Sequence, residues 1–289
     1  MSRVVLTNSL SGSTPPPVPS GGAAGIGASC IGASCIGIRT ASEGGVLRIE
    51  FDRREKKNAI TAAMYRALAE ALEFAEQDAS IRALLVTGKE DIFTAGNDIE
   101  DFLTGAPPDE SSPVLQFLWQ LSHAAKPIVA AVRGAAIGIG TTLLLHCDLV
   151  YASEDARFSM PFSRLGLCPE AASSLLLPQI AGYQRAAEKL LLGDPFGAEE
   201  AREMGLVNKV LPSDQVLAYA EEQAAKLVEL PSSSIRMTKR LMKAGLTPAV
   251  EARMSLEAAQ FLAMLDSPEA REAFTAFLQR RKPDFRQFP

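Results

Sequence analysis

Apolar and polar residues alternate along this chain in two rhythms, one of strands and one of helices. Residues 46–51 set Val46, Arg48 and Glu50 against Leu47, Ile49 and Phe51, which predicts a strand with one buried face. Thr61 is placed to cap a helix reaching about Gln77, with Met64, Leu68, Ala71, Leu72 and Ala75 on its apolar face. Residues 81–87 read as a short apolar strand stopped by Gly88. Residues 112–125 read as a helix carrying Trp119 and, four positions on, His123; packing is the expected role of both. Residues 128–132 and 149–152 are further buried strands. Beyond them the pattern is mostly helical: 186–192, 198–204, 215–228, 233–244 and 248–265, with an edge strand at 207–211. A last helix runs from the cap Ser267-Pro268-Glu269 to about Arg281. Strands alternating with helices give an α/β fold class.

Residues 1–42 break the pattern. They are rich in Ser, Gly and Pro, contain no Asp or Glu, and hold Pro15-Pro16-Pro17 and the repeat I-G-A-S-C twice in succession. Such a composition does not build a packed core, so 1–42 is expected as a disordered low-complexity extension, with order beginning near Gly44. The chain then divides into a core at 43–245 and a helical region at 246–289. The Ser-rich, acid-free extension leaves an organelle address open, although Arg3 and Arg39 are few for one; otherwise a cytoplasmic location is expected. The C-terminal Gln287-Phe288-Pro289 is not a peroxisomal address.

Composition narrows the chemistry. Apolar residues make up 47%, enough for a sizeable core. The net charge of −5 and the lack of a basic patch argue against nucleic acid as a partner. Apolar runs fall short of the ~18 residues of a membrane helix. The four cysteines and two histidines have no zinc spacing, so no metal is expected. Cys147 and Cys168 lie in apolar surroundings and read as reduced thiols, as in an intracellular protein.

Three stretches could carry chemistry. Residues 126–148 read as a strand, a turn punctuated by Gly134, Gly138 and Gly140, and a helix starting near Ile139. The first N–H groups of such a helix lack intrahelical partners, and its dipole adds positive charge there. That suits an oxygen gaining negative charge, although a tight connection that binds nothing has the same sequence. The second stretch, Phe93-Thr94-Ala95-Gly96-Asn97-Asp98-Ile99, has small residues that let a ligand approach the backbone. The N–H of Ala95 is expected to face a pocket and, with that of Ile139, to clamp one carbonyl oxygen. In the third, Pro169 at a first helical position puts Glu170 in the first turn of a helix through about Ile180. Glu170 then either complements the helix dipole at the surface or, buried beside Leu167 and Phe162, has a raised pKa. Phe158 and Phe162 bracket an apolar patch suited to a fatty pocket. His146 reads as structural. Arg280, Arg281 and Lys282 read as a solvated helix end, with phosphate binding as the alternative.

From about residue 44 to 285 the chain resembles the crotonase superfamily of enoyl-CoA hydratases and isomerases. The resemblance rests on Asn58-Ala59-Ile60, the stretches 93–99, 126–148 and 158–170, residues 199–207 and the C-terminal helix. It implies a spiral of ββα units followed by helices that build a trimer, often a dimer of trimers. It also implies an acyl-CoA thioester held by the N–H groups of Ala95 and Ile139, with coenzyme A part of the substrate and no separate cofactor. The substrate contacts it implies are Lys57, Ala59, Thr94, Gly96, Asn97, Asp98, Ile99, Gly138, Thr142, Phe162 and Lys282; Lys56, Lys57 and Lys282 are candidates for the CoA phosphates. The superfamily commonly has glycine where Ile139 stands. Its hydratases place two glutamates at the positions of Thr142 and Phe162, and neither residue here exchanges a proton in that role. Glu170 instead matches the single glutamate of the Δ3,Δ2-enoyl-CoA isomerases, which makes isomerisation the leading expectation. The alternatives are hydration with a pair drawn from Glu100, Asp101 and Glu170, and a non-catalytic acyl-CoA binder.

Overall fold

A computed structural model describes residues 34–35, 37–100 and 112–288. In chain order the strands and helices are β1 (Ser34–Cys35), β2 (Ile38–Glu43), β3 (Val46–Phe51), α1 (Ala62–Gln77), β4 (Ala83–Gly88), α2 (Pro113–His123), β5 (Ile128–Val132), β6 (Ala135–Ile137), α3 (Ile139–Thr142), β7 (Leu149–Ser153), β8 (Arg157–Ser159), α4 (Ser173–Ala181), α5 (Tyr183–Ala187), β9 (Phe196–Gly197), α6 (Ala198–Glu203), β10 (Lys209–Leu211), α7 (Val216–Glu229), α8 (Ser232–Ala244), α9 (Thr247–Leu265) and α10 (Pro268–Leu278). One sheet runs β1-β2-β3-β4-β5-β7-β10 and a smaller one runs β6-β8-β9. From β3 onward the large sheet is parallel. Each turn of the chain lays one strand in the large sheet and the next in or beside the small one. After β4, Thr94 bridges to Ala136; after β5 comes β6; after β7 comes β8. This is the expected ββα spiral.

Burial explains the strands. All five residues of β5 are buried, the continuous apolar run of a strand covered on both faces. Helix α1 covers one face with Met64, Leu68, Leu72 and Ala75. Helix α7 covers the other, setting Val216, Ala220 and Ala224 against Leu85, Val129, Ala131 and Tyr151. The Thr61 side chain accepts from the Met64 N–H at 3.3 Å, so the predicted cap is formed. No helix among the described residues is long and apolar enough to cross a membrane, and no group of His, Cys, Asp and Glu among them could hold a metal ion.

Two expectations are corrected. Order begins upstream of Gly44: Ile38–Glu43 pairs antiparallel with Val46–Phe51 and buries Ile38, because β3 would otherwise present unpaired backbone groups at an edge. The rest of the predicted extension, 1–33 with 36, lies outside the described residues. Trp119 and His123 pack on one another as expected, with ring centroids 3.8 Å apart, although Trp119 is half exposed, and His123 in turn contacts Glu251 at 2.9 Å. Helix α4 begins at Ser173, so Pro169 and Glu170 precede the helix instead of forming its first turn.

The C-terminal helices are tied to the core by buried charge. Lys239 on α8 donates to the Lys126 carbonyl at 2.8 Å and to Asp148 Oδ2 at 2.7 Å, while that same oxygen accepts from the Ile128 N–H at 2.8 Å. Helix α10 adds Ala270 and Phe274 to the main core.

Candidate active site

Two backbone stretches are clamped side by side to form the site. The Thr94 N–H donates to the Ala135 carbonyl at 2.9 Å, and the Ile137 N–H donates to the Thr94 carbonyl at 3.0 Å. Glycine makes the approach possible. Gly96 has φ +86°, and a Cβ there would lie 2.7 Å from the Ile137 carbonyl oxygen. A Cβ on Gly140 would lie 2.5 Å from Thr94 Cγ2. Thr94 is wholly buried and serves as frame: its hydroxyl donates to the Asn58 carbonyl at 2.6 Å and accepts from the Gly96 N–H at 3.1 Å. Asp98 is held by Arg53 Nη1 at 2.6 Å.

Ile139 is the first residue of α3, so its N–H has no intrahelical partner; it makes no hydrogen bond among the described residues. The second predicted donor is corrected. The Ala95 N–H is spent on the Lys57 carbonyl at 3.0 Å, so it is not available to a ligand, although the residue lines the second of the two cavities described below. Between Thr94 and Asp98, the N–H that makes no hydrogen bond among the described residues is that of Asn97. The peptides flanking it are fixed by Ile60, whose N–H donates to the Gly96 carbonyl at 2.8 Å and whose carbonyl accepts from the Asp98 N–H at 2.9 Å. The positive φ of Gly96 turns the next peptide plane out of strand alternation, which moves the available donor one residue past the glycine. That glycine is the sequence signal that points to Asn97. The Asn97 side chain is itself held, its Oδ1 accepting from the Tyr65 hydroxyl.

Glu170 sits immediately before Ala171 and Ala172, which have φ of 57° and 54°. Its Oε1 accepts a hydrogen bond from the Thr142 hydroxyl. The carboxyl lines a cavity, so the residue keeps partial exposure, yet protein surrounds it closely. Desolvation pushes its pKa up to about 8, with Glu257 adding to the rise and the Thr142 bond opposing it. Burial therefore outweighs the helix N-terminus, the point the sequence left open. His146 donates from Nε2 to the Ala171 carbonyl at 2.8 Å; burial lowers its pKa to about 4, so the ring is neutral near pH 7.

Glu170 and Asn97 share a cavity of about 840 Å³ walled by α1, α2 and α9, through Tyr65, Leu118, Trp119, Met254 and Leu262. A second cavity of about 500 Å³ takes in Lys57, Ala59, Gly96, Ile99, Gly138, Ile139 and Phe162. Asn97 and Phe261 line both. The structure thus brings together Glu170, Asn97, Ile139, Gly138, Lys57, Ala59, Ile99 and Phe162. Thr142 meets this group through Glu170. Lys282 is exposed and lines neither cavity. Phe158 and Met160 are fully buried core residues and line neither, so of the predicted fatty patch Pro161 and Phe162 reach a cavity. Glu100 is exposed, lines the second cavity and pairs with Lys56 at 3.4 Å; Asp101 lies outside the described residues.

Residues 41–288 match the family described as enoyl-CoA hydratase/isomerase. The chain is 35% identical over 250 residues to the 1,2-epoxyphenylacetyl-CoA isomerase of Escherichia coli, covering 84% of this chain and 95% of that one. It is also 35% identical over 250 residues to rat enoyl-CoA delta isomerase 2, covering 84% of this chain and 64% of the other. Among solved structures, an enoyl-CoA hydratase/isomerase from Pseudoalteromonas atlantica superposes with a TM-score of 0.83 at 41% identity, covering 86% of this chain and 99% of that one. The spiral of paired strands, the glycine-forced meeting of residues 94–97 with 137–140 and these matches along most of the length agree: the chain belongs to the enoyl-CoA hydratase/isomerase family.

Proposed function

We propose that the protein isomerises 3-enoyl-CoA thioesters to 2-trans-enoyl-CoA, with Glu170 as the sole proton carrier. The thioester carbonyl oxygen accepts from the N–H groups of Asn97 and Ile139. Ionised Glu170 takes a proton from C2, and the electron pair spreads to that oxygen as a dienolate. The protonated carboxyl then returns the proton at C4, leaving the double bond conjugated with the thioester. Preorganised donors stabilise the oxyanion, and loss of one such donor typically costs ~3–4 kcal/mol. Coenzyme A enters as part of the substrate, and no further cofactor takes part. Lys57 beside the second cavity suits the CoA phosphates.

The observation that carries this reading is the pairing at Glu170. A buried carboxyl near pKa 8 shares a cavity with the free amide of Asn97, and its hydrogen-bond partner is the hydroxyl of Thr142 rather than a second acid. Hydration requires a carboxylate to deprotonate water and an acid to protonate carbon. One group that takes a proton and gives it back suffices for isomerisation. The test is a product assay of purified protein with a 3-enoyl-CoA and, separately, a 2-trans-enoyl-CoA. Conversion of the first to the conjugated ester supports the proposal. Formation of 3-hydroxyacyl-CoA from the second, with the first untouched, replaces it with hydration.

Assembly as a homotrimer or dimer of trimers belongs to the same proposal. It is supported by the exposed apolar side chains Met237, Leu241 and Met242 on α8 and Leu191 and Leu192 after α5. A cytoplasmic setting accords with the free thiols of Cys147 and Cys168.

A further inference from the structure

One buried carboxylate has no part in the chemistry above. Glu257, in the middle of α9, is only 5% exposed. Its Oε2 accepts from the Ala172 N–H at 2.6 Å, and its Oε1 accepts from the Ser174 N–H at 3.0 Å and from the Ser174 hydroxyl. Arg253, one turn earlier on α9, donates to Ser174 Oγ at 3.0 Å. The residue preceding α4 is Ala172, which has no side chain able to cap the helix. Glu257 supplies that cap from a helix 85 residues further along the chain.

The position of these bonds matters more than their number. Ala171 and Ala172 are successive non-glycine residues in left-handed backbone, a conformation that persists only where the surroundings over-determine it. His146 holds the carbonyl of Ala171 from one side, and Glu257 holds the N–H of Ala172 from the other. Glu170 is the residue on which this turn opens. We propose that Glu257 is a positioning residue for Glu170: by gripping Ala172 and Ser174 it locks the left-handed turn that aims the Glu170 carboxyl into the cavity. The inference rests on Glu170 being the proton carrier of the proposed isomerisation.

In its ionised form Glu257 also acts on Glu170 through its charge. Burial raises the Glu257 pKa, while the bonds it accepts from Ser174 and Ala172 and the charge of Arg253 oppose the rise by favouring its ionised form. Arg253 faces it from its own helix, Ser174 from α4, and Cys168 and Glu170 from the segment before α4. Glu170 in turn faces Thr142, Tyr65 and Cys168. A negative neighbour favours the protonated form of Glu170.

The experiment uses Glu257→Gln and Ser174→Ala in the full-length protein. Their readouts are kcat and KM with a 3-enoyl-CoA, thermal melting, and the Glu170 carboxyl titration of the unliganded protein by 13C NMR, assigned with Glu170→Gln. For Glu257→Gln, kcat should fall about 10–100-fold with KM within about twofold, and the Glu170 midpoint should drop by roughly half to one pH unit. Ser174→Ala keeps the charge and should lower kcat about two- to fivefold with the midpoint unmoved. A folded Glu257→Gln protein with wild-type kcat and wild-type titration overturns the proposal, as does one that only melts earlier. If Glu257→Gln does not fold, an unchanged kcat in Ser174→Ala overturns it. If the wild type shows no isomerisation, the proposed function falls by itself, and an unmoved Glu170 titration in Glu257→Gln then overturns the positioning role separately.

Discussion

The Thr142 hydroxyl donates its proton to Oε1 of Glu170, so it stabilises the ionised form of a carboxyl that burial otherwise keeps protonated. Replacing Thr142 with Val keeps the volume and removes that donor. A hydrogen bond to a charged group is worth about 1.5–3 kcal/mol, and ~1.4 kcal/mol is one pKa unit. The Glu170 pKa should therefore rise above 8, and kcat/KM at pH 7 should fall about tenfold. A pH–rate profile of Thr142→Val that overlays the wild type removes this bond from the account.

Glu170→Gln should lower double-bond migration by about 100- to 10,000-fold, the usual contribution of a positioned acid–base group. Binding of an acyl-CoA should stay within about threefold, because the two main-chain donors and the cavity walls are untouched. Calorimetric titration beside the product assay separates the two effects; retained turnover would take Glu170 out of the mechanism.

The pH dependence has a definite sign. As a base, Glu170 must be ionised in the free enzyme, so kcat/KM should climb with pH to a limb near 8. Stability should move the other way. The folded-state pKa lies above the ordinary carboxylate value, so the folded chain holds a proton that the unfolded chain has lost between about pH 4.5 and 8. The stabilisation is full below that window and lost as pH rises through it. Glu170→Gln should remove the effect, raising the melting temperature at pH 8.5 relative to wild type by the equivalent of about 2–4 kcal/mol while changing little at pH 4.5. Parallel melting curves of the two proteins at every pH would contradict the burial of this group.

Gly96→Ala should damage activity more than any single side-chain change at the second cavity. The new Cβ would stand 2.7 Å from the Ile137 carbonyl oxygen at a φ of +86°, so one of the two clamped stretches must shift. Displacing the Asn97 N–H forfeits about 3–4 kcal/mol of oxyanion stabilisation, a loss of about 100- to 1,000-fold in kcat. Steady-state kinetics on a protein whose fold is verified by circular dichroism is the measurement.

Asp98→Ala should act through stability. It leaves the partly buried Arg53 guanidinium with only the exposed Glu55 carboxylate, 4.0 Å away, and should cost about 3 kcal/mol in denaturant unfolding. Wild-type stability in this variant would mean that the pair is not needed to hold the loop.

Much of this architecture was legible from short-range pattern. The strands at 46–51 and 128–132 fall where alternation and the apolar run put them. Thr61 and Ser267 cap their helices as their positions require, the latter accepting from the Ala270 N–H at 3.1 Å. The helix start at Ile139 after glycines was also readable, whereas a lone acid after a proline marked Glu170 without showing that it precedes α4 or that protein encloses it. What escaped depends on backbone direction and distant contacts. Ala95 and Asn97 are equivalent in a strand until the positive φ of Gly96 separates them. Nothing local marks Ala171 and Ala172 as left-handed, since the bonds that hold them come from His146 and Glu257. The strand at 38–43 was hidden because composition averaged over 1–42 masked one short apolar-polar alternation beside it.

Both groups assigned to grip the thioester oxygen are peptide N–H groups, at Asn97 and Ile139. A mutation that swaps either side chain for another of suitable shape leaves the partial charges facing that oxygen where they were. The walls of the channel are therefore free to drift toward bulkier, thinner or more polar acyl tails with the catalytic apparatus intact. In such a scaffold, new substrate preferences are acquired by repainting the surface around a fixed pair of dipoles.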